Sequence, residues 1–173
     1  MNILSLDPSL SSTGYSIINS EKELLLKGRY QTTNKNTTDE RIQMIIHFLE
    51  NIDIEFDVVI LEDGFVGFSR QTSLQLAELR GALIAYFKYK GYPVEHEQPK
   101  KIRMNFGLPG NAKKEEVANA VLSIYPNLLE EIGPYSDKSN KQKTSDIYDS
   151  ISIGLSYINS REWNGRIEIT IIW

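Results

Sequence analysis

Two short apolar runs in this chain each stop abruptly at a carboxylate. Asn2-Ile3-Leu4-Ser5-Leu6 ends in Asp7, and Val58-Val59-Ile60-Leu61 ends in Glu62. Both runs have the length and residue types of buried strands. A third acidic feature lies near the end of the chain. Asp146 and Asp149 sit three apart in a helical pattern, so they share one helix face. Two strand ends and one helix face can converge on a single point. Four carboxylates at one point repel unless hard cations bind between them, and Mg²⁺ or Mn²⁺ prefers oxygen ligands of this kind. Such an arrangement suits two-metal phosphodiester chemistry.

Taken singly, each acid has an ordinary explanation. An acid after a strand is usually a loop residue or a helix cap. Asp146 follows Thr144-Ser145 and suits a helix N-terminus. Glu62-Asp63-Gly64 has the composition of an acidic turn. The order of the four, strand acid, strand acid, then paired helix acids, favours the functional reading.

A chain of 173 residues suits one domain with a sizeable core, and no composition shift divides residues 1–173. No run of about 18 apolar residues occurs, so no membrane span is expected. The N-terminus lacks a basic stretch followed by an apolar one, so no signal peptide is expected either. Cysteine is absent, which removes disulfides and thiolate chemistry and fits a cytoplasmic protein. The two histidines, His47 and His96, share no ligand spacing. The net charge of −4 does not advertise nucleic-acid binding, but its distribution is uneven. Lys100, Lys101, Arg103, Lys113 and Lys114 fall between Gln98 and Lys114 with no acid among them. Lys138, Lys141 and Lys143 precede the Asp146 helix. Residues 20–63 carry ten acids and five bases. One basic face on an acidic molecule is expected.

Strands are predicted over 2–6, 14–18 and 24–30, the last two antiparallel across Asn19-Ser20-Glu21-Lys22. Thr37-x-x-Glu40 has capping-box spacing and opens a helix with Ile42, Ile45, Ile46 and Leu49 on its apolar face. After the Val58 strand, a long helix is predicted over 72–90, with Leu74, Leu76, Ala77, Leu79, Leu83 and Ile84 facing the core. Gly91-Tyr92-Pro93 ends it. A short strand near Val94, a short helix over 99–106 and a helix from 112 to about 125 capped by Asn111 follow. Residues 126–142 are expected to be mostly loop. A final helix is expected over 145–157. The alternating tail Arg166-Ile167-Glu168-Ile169-Thr170-Ile171 predicts one more strand. Strands first, then helices alternating with strands, imply a mixed α/β sheet with helices on its faces.

Five motifs in order resemble the RuvC-type Holliday junction resolvases of the ribonuclease H-like superfamily. Ser5-Leu6-Asp7-Pro8-Ser9 with Thr13-Gly14-Tyr15 resembles the family's opening G-I-D-P-G…T-G-Y/W. Val59-Ile60-Leu61-Glu62-Asp63-Gly64-Phe65 matches a strand ending in Glu with an aromatic three residues later. Leu79-Arg80-Gly81-Ala82 resembles the A-R-G helix. Gly110-Asn111-Ala112-Lys113-Lys114-Glu115-Glu116-Val117 resembles G-x-A-x-K-x-Q-V. The stretch Asp146 to Gly154 resembles D-x-x-D-A-x-A-x-A, with Ser150, Ser152 and Gly154 at the alanine positions. Asn-, Lys- and Ile-rich usage suits a phage-encoded member.

The resemblance implies a ribonuclease H-like five-stranded sheet and a homodimer that nicks two strands of a four-way DNA junction. It implies that Asp7, Glu62, Asp146 and Asp149 hold two Mg²⁺ or Mn²⁺ ions, with Asp7 between them. Lys114 would sit near the scissile phosphate. Arg70, Lys100, Lys101, Arg103 and Lys113 would hold flanking phosphates, and Phe65 would wedge against or stack on bases at the crossover. Competing readings are an RNA-processing nuclease of the same superfamily and a junction-binding protein without cleavage. A sugar-kinase-like phosphotransferase also begins with an Asp after a strand, but needs a second domain that 173 residues do not provide.

Overall fold

The computed structural model describes residues 1–63, 69–138 and 143–170, with 162–170 described as backbone. Five strands form one mixed sheet: β1 (Asn2–Asp7), β2 (Ser12–Asn19), β3 (Leu24–Gln31), β4 (Val58–Glu62) and β5 (Val94–Glu97), in the order β3-β2-β1-β4-β5. The first three run as an antiparallel meander, and β1, β4 and β5 are parallel. Parallel strands need crossovers. Helices α1 (Thr38–Glu50) and α2 (Arg70–Tyr89) precede β4 and β5 respectively, and α3 (Pro99–Asn105), α4 (Lys114–Ile124), α5 (Leu128–Glu131) and α6 (Ser145–Thr170) follow. This is the five-stranded mixed sheet flanked by helices that the sequence implies.

The two-residue period of the strands sorts the core into two layers. Leu4, Leu6, Ile17, Val59 and Leu61 pack with Ile45 and Leu49 of α1 and Leu79, Leu83 and Phe87 of α2. Ile3, Ile18, Val58 and Ile60 face the other way, toward Ile102, Val121, Ile151 and Leu155 on α3, α4 and α6. Asp7 continues the Ile3 parity and Glu62 continues the Val58–Ile60 parity. Both carboxylates therefore emerge on the α6 side. The β1–β4 register pairs Leu6 with Leu61, which sets the two acids side by side one residue later.

Small residues let α6 lie close to the sheet. A Cβ at Gly14 would run into the backbone carbonyl of Asp146, and one at Gly154 would stand 2.6 Å from Ser5 Oγ. The buried hydroxyls along this seam are bonded: Ser5 Oγ to Ser16 Oγ at 2.9 Å, Ser150 Oγ to the Ile147 carbonyl at 2.8 Å and Ser152 Oγ to the Asp149 carbonyl at 2.8 Å. Gly14 thus fixes where the first turn of α6, and with it Asp146, meets the sheet.

Several boundaries differ from the sequence expectation. The predicted strand over 166–171 is not formed: α6 continues through Thr170. Alternation alone does not make a strand without an edge to pair with, whereas a helix satisfies its own backbone. Gly165 inside it costs only about 1 kcal/mol. On α2, Leu79, Leu83 and Phe87 form the buried face, while Leu74 is 55% exposed and Ala77 is exposed as well. The periodicity was right and the stripe lies about one residue further round. Helix α4 is capped at Lys113, not Asn111, and the Glu116 carboxylate accepts the Lys113 N–H at 2.7 Å. The Thr37/Glu40 capping box forms as expected.

Candidate active site

The carboxyl ends of β1 and β4 and the first two turns of α6 meet at one edge of the sheet. Asp7 lies within electrostatic reach of Glu62, Asp146 and Asp149 together. Burial pushes the Asp7 carboxyl well above its ordinary range, and Asp149, Glu62 and Asp146 push it further, while Lys114 works the other way. Glu62 is raised by burial and by Asp149, against the pull of Lys114, Arg103 and Arg80. Asp149 is raised by burial and Asp146, although the Lys114 ammonium binds it directly. Burial opposes charge on Lys114 too, yet Asp149, Asp7 and Glu62 outweigh it and hold its pKa above the ordinary lysine value.

Two ammonium groups serve the α6 acids. Lys114 pairs with Asp149, and Lys143 reaches Asp146 Oδ1 at 2.7 Å. Among the described residues, no group of three or more acids or histidines is closed into a metal cage. The donor set nevertheless fits hard cations. Asp146 Oδ2 is buried with no hydrogen-bond partner among the described residues. A void of about 20 Å³ lies against Glu62, Lys114, Arg103 and Asp149. That is room for one water-sized guest, since about 10–15 Å³ suffices. A buried, unpaired carboxylate oxygen beside three acids raised by burial and by neighbouring carboxylates is a donor set that suits hard cations.

A groove of about 1020 Å³ runs outward from Glu62 and Lys114. Ser73, Leu76 and Arg80 of α2 form one wall, and Lys100 and Arg103 of α3 the other. Arg103 is held by its Nε–H, which donates to the Ala112 carbonyl at 2.7 Å. Arg70 opens α2 in an exposed position, and no acid occupies that helix's first turn. A basic residue at a helix N-terminus leaves an electropositive end suited to phosphate. Lys113 is exposed at the start of α4. Lys101 turns instead onto Glu97, 2.9 Å away. Phe65 and Lys141 lie outside the described residues.

The family model described as "Crossover junction endodeoxyribonuclease RuvC" matches residues 3–153. The chain belongs to the RuvC family. It is an endodeoxyribonuclease of the structure-selective, junction-resolving kind, and membership implies dependence on a divalent metal. The crossover junction endodeoxyribonuclease RuvC of Ehrlichia ruminantium (strain Gardel) is 29% identical, over 92% of this chain and 98% of its own. Thermus thermophilus RuvC shares the fold, with a TM-score of 0.70 at 20% identity, covering 95% of this chain and 97% of that one. The same protein in complex with a Holliday junction substrate superposes with a TM-score of 0.68 at 20% identity, covering 94% and 96%.

The structure also brings in residues that sequence reasoning passed over. Asp63, directly after Glu62, meets Arg80 of α2 at 3.3 Å and His96 of β5 at 3.6 Å. Arg80 Nη2 also lies 3.3 Å from His96 Nδ1. This knot ties β4, α2 and β5 beneath the groove. Glu97 is a further buried acid, paired in register with Glu62. The short strand near Val94 was expected, but β5 is polar rather than an apolar run, so its terminal acid did not stand out. Tyr135 is raised by burial and by its closeness to Asp149.

Proposed function

We propose that this protein resolves four-way, Holliday-type DNA junctions by paired phosphodiester hydrolysis, as a homodimer using two Mg²⁺ or Mn²⁺ ions per site. The observation that carries the reading is the convergence of Asp7, Glu62, Asp146 and Asp149 at the inner end of a groove walled by Arg80, Lys100 and Arg103, in a chain of the RuvC family. The fold shared with Thermus thermophilus RuvC bound to a Holliday junction supports branched DNA as the substrate.

Asp7, Glu62, Asp146 and Asp149 would hold the metal ions, with Asp7 central because it senses the other three acids. When bound, divalent cations supply a hydroxide-strength nucleophile at neutral pH and offset charge on the phosphate and leaving oxygen. The carboxylates orient that charge and are pre-placed by the sheet and α6, so little reorganisation accompanies reaction. Lys114 stands at the junction of acids and groove, where it meets the reacting phosphate. Arg70, Lys100, Arg103 and Lys113 hold flanking phosphates, which position the DNA without reading sequence. Phe65 would contact bases at the crossover.

The outer face of α2 supports the dimer. Leu74, Ala77, Gly81 and Ala85 are exposed at intervals of three and four residues, and Tyr89 beyond them is 87% exposed. That spacing makes one stripe along the helix, of the kind a second helix covers. The decisive experiment is nicking of a synthetic four-way junction with Mg²⁺ or Mn²⁺, beside plain duplex and RNA. Cutting confined to the junction, lost in Asp7→Asn with binding kept, is the expected result. Cutting of RNA alone would point to an RNA-processing nuclease, and binding without any cutting to a junction-binding protein.

A further inference from the structure

We infer that Lys114 is an exchangeable counterion: its ammonium occupies the Asp149 side of the carboxylate cluster until divalent metal displaces it into the groove. The inference rests on the metal-dependent reading above.

Three observations carry it. First, the contact is with one of the proposed metal ligands itself. Lys114 pairs with Asp149, and Asp7 and Glu62 act on it too. Its ammonium is a compact hard cation and compensates the same excess of negative charge that a metal ion would. Second, the side chain is placed to leave. Lys114 is 47% exposed whereas Asp149 is 11% exposed, and Lys114 lines both the large groove and the small void beside Asp149. Withdrawal would carry the ammonium from the void toward the groove that Lys114 also lines. Third, the local backbone does not favour a cation here. Lys114 is the first residue of α4, where the helix dipole repels positive charge. The acids hold it in place, so weakening that hold by neutralising them releases it.

The consequence is a coupling between ion loading and substrate grip. A lysine that compensates Asp149 without metal is free to meet a phosphate once metal has taken over the carboxylates. Lys143 on Asp146 repeats the arrangement at the other α6 acid.

The test is isothermal titration of Mn²⁺ into the DNA-free protein at pH about 8 and low salt, where screening is weak. Lys114→Met removes a unit positive charge adjacent to the ligands, so Mn²⁺ affinity should rise by about tenfold or more. Lys114→Arg keeps the charge and should stay nearer wild type. Thermal melts provide a second readout: adding Mn²⁺ should raise the melting temperature of Lys114→Met by more than that of wild type. Should Lys114→Met fail to fold without metal, Lys143→Met should show the same gain in affinity. Equal or weaker Mn²⁺ binding by the charge-removing variants, with wild type binding normally, would overturn the counterion role and leave the nuclease reading intact. Absence of Mn²⁺ binding in wild type would overturn both.

Discussion

Replacing Gly154 with alanine should push α6 away from the strand that carries Asp7. The new Cβ would lie 2.6 Å from Ser5 Oγ, 3.1 Å from Ile18 Cδ1 and 3.5 Å from Ser5 Cβ. Comfortable carbon contacts need about 3.5–4 Å, so both Ile18 Cδ1 and the Ser5 hydroxyl are too close, the hydroxyl more severely. Ser5 Oγ is buried and bonded to Ser16 Oγ at 2.9 Å, so it cannot swing aside without losing that bond. Overpacking of this kind costs about 1–3 kcal/mol. Glycine to alanine inside a helix returns about 1 kcal/mol. The net loss is then up to about 2 kcal/mol, which in a chain of this size lowers the melting temperature by up to about 8 °C. Cleavage should fall further than stability, because α6 carries Asp146 and Asp149, and a shift of about 1 Å at reacting groups can cost about 100-fold. The family motifs suggest the remedy: they place glycine where this chain has Ser5 and alanine where it has Gly154. Ser5→Gly combined with Gly154→Ala should recover most of the loss. Calorimetric melts and junction nicking on all four members of the cycle would measure the coupling. A coupling within about 0.5 kcal/mol of zero, or a Gly154→Ala protein more stable than wild type, would refute the packing argument.

Further outcomes follow from the site's charges. Asp7, Glu62 and Asp149 are all raised in the folded state, so the folded protein holds their protons more tightly than the unfolded one. Their contribution to metal-free stability is therefore most favourable at or below the ordinary carboxylate range and is lost as pH rises through the raised values. Melts between about pH 5 and 7 should show that decline without metal and a flatter profile with Mn²⁺; a contribution from these acids that grows with pH would contradict it. Changing Lys113 and Lys114 together to alanine should flatten the slope of log K against log salt by about one to two units on junction and duplex alike. An unchanged slope would move the phosphate contacts to Lys138 and Lys143. A Cβ added at Gly81, on the outer face of α2, meets nothing within 4 Å, so Gly81→Arg should fold normally yet sediment as a monomer. A persistent dimer would place the interface elsewhere.

Much of this site was legible because strand and helix periods convert sequence position into direction. Asp7 and Glu62 end apolar runs whose alternate residues must be buried, so their side chains had to leave the sheet on a defined face. Asp146 and Asp149 share a helix face by spacing alone. The Thr37/Glu40 cap was equally direct, since its partners are three residues apart. What escaped was non-local. Asp63 follows β4, while Arg80 and His96 come from α2 and β5, and no periodicity relates them. The exposed face of α2 was apolar enough to look like core, and only packing shows that Leu79, Leu83 and Phe87 already fill the available sheet surface. The tail alternated like a strand because pattern does not encode the presence of a pairing edge.

The net charge of −4 is the same problem in another form. Summed over the chain, it argues against a polyanionic substrate. Resolved by position, part of the negative charge is concentrated where Asp7, Glu62, Asp146 and Asp149 meet, and Glu97 adds a buried acid at the neighbouring strand end. In the proposed function that charge is the receptor for cations. Arg80, Lys100 and Arg103 line the groove leading from it. An acidic total is therefore compatible with DNA binding here, because four of the acids that lower the sum are ones that metal would neutralise. The sign of the site follows its occupancy: anionic without metal, and cationic along the groove once the carboxylates are compensated and Lys114 is released.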